Sequence, residues 1–328
     1  MLNDANILIT GGTGSFGKQC VATILARYRP KRLIIFSRDE LKQYEMSQAI
    51  RETEHPCVRY FIGDIRDRDR LRRAFMGVDY VIHAAAMKQV PAAEYNPFEA
   101  VKTNILGAQN IVDAAIDMGV KRVLALSTDK AANPVNLYGA TKLCADKLFI
   151  CGNSYAGSGG TRFGVVRYGN VLGSRGSVAP FFLKTRSSGE LSVTHKDMTR
   201  FWITLPAAAD FVLRSLGRML GGEIFVPKIP SMRVEDMARA IGPDCRIKYV
   251  GLRPGEKIHE VMIPLDESRN TYAFDDHYVI LPAFRFFEQA GDLDTLGGKP
   301  VPEDFEYRSD TNDQWLSGEE LLRLLGPA

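Results

Sequence analysis

The run Thr10-Gly11-Gly12-Thr13-Gly14-Ser15-Phe16-Gly17 follows an apolar segment, Asn6 to Thr10, and precedes an amphipathic one; no other part of the chain constrains the fold as strongly. Glycines at this spacing permit a tight strand-to-helix turn and bring backbone close to a pyrophosphate. The helix N-terminus beyond them offers N–H groups and the positive end of its dipole. Such a turn opens a βαβ unit. Further apolar runs at Arg32 to Ser37, Val58 to Ile62, Tyr80 to Ala84, Arg122 to Ser127 and Gly164 to Arg167 read as strands separated by helical patterns. Runs such as LIIF and VLAL are continuously apolar, as expected of parallel strands covered on both faces. The expected fold is therefore α/β: a doubly wound parallel sheet (Rossmann) over residues 1–170, with a smaller C-terminal lobe over 171–328 for substrate, some of whose segments return to the sheet. A long helix is expected from Pro97 to about Gly119, and a terminal one near Ser317 to Leu325.

Composition narrows the function classes. With 45% hydrophobic and 25% charged residues in 328, the chain is an ordinary globular protein, which excludes disordered and coiled-coil readings. Its 42 basic and 39 acidic residues leave a net charge of only +3, too small to point to nucleic acid. No apolar stretch reaches the ~20 residues of a membrane span, and the N-terminus reads as a strand rather than a signal peptide, so the expected compartment is the cytosol. Cys20, Cys57, Cys144, Cys151 and Cys245 form no CxxC pair or His cluster. They read as reduced thiols, with no metal expected.

The glycine turn contributes Gly11, Thr13, Gly14, Ser15, Phe16 and Gly17 to a cofactor site. The second strand ends at Ser37-Arg38, with Lys42 a turn further, where a carboxylate would bind the ribose 2′-hydroxyl of NAD. A hydroxyl and two cations suit the 2′-phosphate of NADP instead, although Asp39 and Glu40 beside them also fit a solvated helix start. Asp64 and Ile65 after the third strand would flank the adenine. Ala84, Ala85 and Ala86 after the fourth would run beneath the cofactor.

Chemistry is expected after the fifth strand, at Thr128-Asp129-Lys130, and at the next helix, Tyr138-Gly139-Ala140-Thr141-Lys142. Positions i and i+4 share a helix face, so Lys142 can lower the Tyr138 phenol pKa and hold a ribose, while Thr128 hydrogen-bonds a substrate hydroxyl. Among twelve tyrosines only Tyr138 has a lysine four residues on. His83, inside an apolar strand, reads as a satisfied core histidine.

TGGTGSFG, HAAA, STDK and YGATK together resemble an extended short-chain dehydrogenase/reductase acting on a nucleotide-diphosphate sugar. The longer segments FSRDELKQ, HAAAMKQVPAAEYNPFEAVKTN, STDKAANPVNLYGATK, RYGNVLGSRGSV, MTRFWITL and RPGEKIHE resemble the soluble inverting UDP-N-acetylglucosamine 4,6-dehydratases that start pseudaminic acid biosynthesis. Large membrane-anchored relatives share STDK but carry Met where this chain has Tyr138.

The resemblance implies that Tyr138, as phenolate, takes the C4 hydroxyl proton while hydride leaves for the nicotinamide. The resulting ketone acidifies C5–H. Lys130 is then expected as the C5 base and Asp129 as the acid to the C6 oxygen. A base must be neutral, which Lys142 and an oxidised nicotinamide favour and Asp129 opposes. Lys130, Tyr138 and water are candidates for reprotonating C5 on the opposite face. For UDP-N-acetylglucosamine, Asn170, Ser174, Arg175 and Arg200 are expected at the diphosphate, Arg253 and Glu256 at the uridine diphosphate end, and Lys88 near the sugar. Family members assemble as dimers or larger rings, so a homo-oligomer is expected. The rivals are a 4-epimerase of the same family and a non-catalytic NADP-binding regulator.

Overall fold

The structure is a computed structural model that describes residues 1–157, 160–174, 176–284 and 297–326. Six parallel strands form its centre: β1 (Asn6–Thr10), β2 (Arg32–Ser37), β3 (Val58–Ile62), β4 (Tyr80–His83), β5 (Arg122–Thr128) and β6 (Arg162–Tyr168). They pair in the order β3-β2-β1-β4-β5-β6, so the order reverses between β1 and β4. In a doubly wound sheet the ligand crevice opens at that reversal, beyond the carboxyl ends of the strands. Helices α1 (Ser15–Arg27), α2 (Glu40–Ala49) and α3 (Arg68–Phe75) make the first crossovers. The side chains of Asp39 and Asp67 cap α2 and α3 by accepting from Lys42 N and Arg70 N. The apolar strand residues Ile7 to Ile9, Leu33 to Phe36 and Val123 to Leu124 are fully buried, which accounts for their unbroken hydrophobic runs.

The strand ends differ from the apolar runs by one or two residues. Pairing of β5 with β6 continues through Ser127↔Arg167 to Thr128↔Tyr168, because ladder hydrogen bonds extend past the last apolar side chain. The helix expected from Pro97 is built in three parts: Pro97–Ala100, a π-helical stretch Val101–Leu106, and Gly107–Asp117. The π stretch carries the buried Asn104.

Beyond residue 170 the chain does two things. Ile224–Pro227 adds parallel to β6, and His277–Ile280, Thr271–Ala273 and Lys299–Pro300 follow antiparallel, extending the sheet to ten strands. The remainder closes around a second core of Leu172, Phe182, Trp202, Met232, Met237 and Leu321. That core backs a three-stranded sheet of Asn170–Leu172, Thr199–Thr204 and Ser231–Arg233. The final helix, Gly318–Leu325, starts with a capping box between Ser317 and Glu320. Among the described residues no helix is long and apolar enough to cross a membrane, and no His, Cys, Asp and Glu cluster suits a metal ion.

Candidate active site

A cavity of about 700 Å³ opens along the carboxyl ends of the parallel strands. Its wall begins with Gly11, Thr13, Gly14, Ser15, Phe16 and Gly17. Gly11 has φ +64°, and a Cβ there would lie 2.9 Å from the Ala85 backbone. Only glycine lets the first turn approach the strand-β4 loop this closely. No side chain caps the start of α1, so the chemistry of the turn fits a pyrophosphate. The wall continues through Ser37, Arg38, Lys42, Asp64, Ile65 and Ala84 to Ala86. Asp39 accepts from Lys42 N at 3.0 Å and pairs with the Lys42 amine, while Arg38 stands 3.8 Å from Asp64. His83 is buried behind this wall: its Nδ1 lies 2.8 Å from Thr10 Oγ1, and burial pushes its pKa down to about 3. It is a core histidine.

The far end of the cavity is lined by Thr128, Lys130, Tyr138 and Lys142, together with Lys88, Asn170 and Ser174. Strand β5 ends at Thr128, and a 3₁₀ turn, Asp129–Ala131, presents Lys130. The helix Leu137–Ala156 carries Tyr138 and Lys142, and its N-cap Asn136 accepts from Gly139 N at 2.8 Å. Turn and helix are in direct contact. A Cβ on Gly139 would sit 2.1 Å from the Lys130 carbonyl oxygen, so glycine is what lets Tyr138 and Lys130 share one wall.

The electrostatics of this end differ from the sequence expectation. Lys142 Nζ donates to Leu126 O at 2.7 Å, burial lowers its pKa, and Asp146 opposes that shift. Burial pushes the Tyr138 phenol up to about 12; the cation acting against this is Lys130, helped by a hydrogen bond with Thr128. Lys130, with its side chain 26% exposed, has Nζ 3.0 Å from Asp129 Oδ1 and 3.2 Å from Glu260 Oε1. Burial would lower its pKa, but these two carboxylates raise it well above the ordinary lysine value. The Lys130 side chain is therefore an ammonium in this state, not the neutral amine a base requires.

Three expected ligands stand off the cavity wall, and Asp129 joins them. Asp129 is buried behind it, with Oδ1 accepting from Thr128 Oγ1 at 2.8 Å and from Lys130. It reaches the cavity through those two side chains, not directly. Arg200 is buried and donates to the carbonyls of Thr199, Ile258 and Lys257 at 2.7–2.9 Å, with Nε 3.7 Å from Glu260. A guanidinium so engaged has little left for a diphosphate. Arg253 and Glu256 face each other at 3.9 Å, with the arginine side chain 68% exposed. Arg175 lies outside the described residues.

Sequence reasoning missed two supports. Asn104 fixes the loop after β4 by accepting from Met87 N at 2.8 Å and donating to Met87 O at 2.9 Å and Thr141 Oγ1 at 3.0 Å. The only signal for it was its place in the segment ending VKTN. Glu260, the second carboxylate on Lys130, closes the segment RPGEKIHE and carries no local signal.

The chain is 56% identical, over 99% of its length and 98% of the relative, to a UDP-N-acetylglucosamine 4,6-dehydratase (inverting) of Campylobacter jejuni. It is 40% identical to a UDP-glucose 4-epimerase of Rickettsia akari, over 85% of this chain and 84% of that one. Among solved structures, Pen from Bacillus thuringiensis superposes with a TM-score of 0.89 at 38% identity, covering 99% of this chain and 98% of Pen. DesIV of Streptomyces venezuelae, a dTDP-glucose 4,6-dehydratase with NAD bound, shares the fold at 22% identity and a TM-score of 0.69, covering 77% and 86% of the two chains. The model of the polysaccharide biosynthesis protein family matches residues 7–282. This chain belongs to that family.

Proposed function

We propose that this protein is an inverting UDP-N-acetylglucosamine 4,6-dehydratase that uses NADP. The observation that carries the reading is the 56% identity to such an enzyme over nearly the full length of both chains. The cavity agrees with it in chemistry: besides Thr128, Tyr138 and Lys142, which a dehydrogenase needs, it holds Lys130, which a dehydrogenase does not.

The glycine turn, Ser37, Arg38 and Lys42 would hold the cofactor. Ser37 at the strand end and two nearby cations support NADP over NAD, and the Asp39 carboxylate is already committed to Lys42. Bound there, NADP supplies hydride acceptance and return, the redox chemistry that makes the C4 alcohol transiently a ketone. Tyr138, once ionised against its burial with help from the Lys130 ammonium and from the positive charge an oxidised nicotinamide would add, takes the C4 hydroxyl proton, with Thr128 orienting that hydroxyl. The ketone then acidifies C5–H.

For the elimination, the charge on Lys130 and the buried position of Asp129 lead to a revised assignment. The Lys130 ammonium gives a proton to the C6 oxygen, and the amine so formed takes the C5 proton. The C5–H electron pair becomes the C5–C6 π bond as the C6–O bond breaks and water leaves. One amine covers both transfers and ends as it began, an ammonium. Asp129 acts through it, as the group that holds and charges it. Asn170, Ser174 and Lys88 are the substrate-side residues of the wall.

The resemblance also supports a cytoplasmic homo-oligomer acting at the start of pseudaminic acid biosynthesis. The test is direct. Purified protein given UDP-N-acetylglucosamine in heavy water is expected to release a 4-keto-6-deoxy product, lighter by one water apart from its deuterium, inverted and deuterated at C5, without net use of NADP. A product of unchanged composition would indicate a 4-epimerase, and NADPH accumulating in step with product would indicate a simple dehydrogenase.

A further inference from the structure

The segment 253–260 reaches the turn Asp129–Ala131 through charged side chains. Glu260 lies just before the strand Val261–Ile263 and is 2% exposed. Its Oε1 is 3.2 Å from Lys130 Nζ and 3.7 Å from Arg200 Nε, and its Oε2 is 3.9 Å from Lys257 Nζ. Ser309 Oγ accepts from its backbone N–H at 2.9 Å. The same segment is pinned to the turn elsewhere: Lys257 Nζ donates to Ala132 O at 2.7 Å, and Asn136 Nδ2 donates to Gly255 O at 2.8 Å. Among the described residues Glu260 Oε2 has no hydrogen-bond partner, so the carboxylate is placed by these ion pairs and by the pinned backbone around it.

We propose that Glu260 is a positioning residue for the elimination step: from the segment just before Val261–Ile263 it holds the Lys130 amine on the cavity wall and strengthens its hold on the proton. Its role in turnover rests on the dehydratase reading above; its hold on Lys130 does not. Asp129 lies beside Lys130 on the same turn and cannot by its own geometry fix the direction of a flexible four-carbon side chain. A second carboxylate, from an element 130 residues away in sequence, makes the amine a bridge with two anchors. The charged and titratable groups facing Lys130 are Asp129 from the turn, Glu260 and Lys257 from the RPGEKIHE segment, Arg200 from Thr199–Thr204 and Tyr138 from the helix. Of these only Asp129 and Glu260 strongly favour its charge. Arg200 and Lys257 disfavour it, so loss of Glu260 leaves Lys130 facing two cations with one carboxylate.

The experiment compares wild type, Glu260→Gln and Glu260→Asp as NADP-loaded holoenzymes, with the Lys130 Nζ resonance assigned in 15N-lysine protein by difference against Lys130→Met. In wild type Lys130 is expected to stay charged to the alkaline limit. In Glu260→Gln its titration falls by about 1–3 pH units, and the pH limb of single-turnover water elimination moves with it while the C4 oxidation step keeps its rate. Glu260→Asp retains the charge and restores the limb, with elimination slowed by about tenfold or more because the carboxylate is drawn back. An unmoved Lys130 titration in Glu260→Gln overturns the proposal. So does a moved titration with an unmoved elimination limb. Should Glu260→Gln fail to fold, a wild-type elimination rate in Glu260→Asp overturns it equally. A wild-type protein that never dehydrates UDP-N-acetylglucosamine sinks the dehydratase reading and the catalytic role with it, and the resonance then still decides whether Glu260 holds Lys130.

Discussion

Replacing Gly139 by alanine adds one methyl group at the most crowded point of the active site. The new Cβ would lie 2.1 Å from the Lys130 carbonyl oxygen, 3.0 Å from its carbon and 3.1 Å from Pro134 Cβ. Reaching an ordinary contact of 3.4 Å requires the helix start and the catalytic turn to separate by about 1.3 Å. The obstacle is backbone, so no rotamer change relieves it. Overpacking of this kind costs about 1–3 kcal/mol of stability, and a misplacement of about 1 Å between reacting groups costs on the order of 10²-fold in rate. Both Tyr138 and Lys130 ride on the elements that must part, so C4 oxidation and water elimination should fall together. The assay is rapid-quench analysis of the keto intermediate and the dehydrated product, alongside the thermal midpoint with and without NADP. Gly139→Ala with a wild-type rate for either step would refute the claim that this close contact sets the geometry of the wall.

Tyr138→Phe should lower C4 oxidation by about 10²–10⁴-fold, whereas Lys130→Ala should still oxidise C4 and stall before water loss; single-turnover absorbance of NADPH with product mass separates the two. Lys130→Ala should also move the phenol-dependent limb of C4 oxidation to higher pH, because Lys130 is the cation that lowers the Tyr138 pKa against burial. Ser37→Asp should weaken NADP by about tenfold to 100-fold, as a carboxylate replaces a hydrogen bond to phosphate, and leave NAD bound at least as well; titration of cofactor-free protein measures both. Burial lowers the folded pKa of His83 to about 3, below the unfolded value, so the neutral ring costs no stability at neutral pH. As pH falls from about 6.5 towards 3 the unfolded chain takes up a proton the folded chain refuses, and stability drops by up to about 1.4 kcal/mol per pH unit; His83→Gln should flatten that slope in urea melts.

How much of this was legible in the sequence depends on chain separation. The wall expected to hold the cofactor follows from contiguous residues: Gly11 to Gly17 make one turn, Ser37 ends a strand, and Asp64 and Ala84 closely follow strands whose positions the parallel order dictates. Thr128, Lys130, Tyr138 and Lys142 were equally readable, because a strand end and the next helix start must meet. The arginines were not. Guanidinium chemistry says what Arg200 can bind, but not that the carbonyls of Thr199, Lys257 and Ile258 already use its donors. Asp129 misled for a related reason: neighbours in sequence on a 3₁₀ turn point in different directions, so Lys130 lines the cavity while Asp129 lies behind it.

The distribution of charge explains why one fold can host both halves of the reaction. The redox half would draw on a phenol, a hydroxyl and a buried lysine, and β5 with its following helix supplies all three within fifteen residues. Elimination needs an amine that carries a proton at the start and gives it up only beside the sugar. Burial works against such a charge, so the fold must supply counter-charge at the turn, and the turn Asp129–Ala131 carries one carboxylate, Asp129. The second, Glu260, comes from the segment that also grips Ala132 and Asn136. Lys130 is thus held between a carboxylate of its own turn and one from a distant segment, and the same segment, through Asn136, also fixes the start of the helix that carries Tyr138 and Lys142.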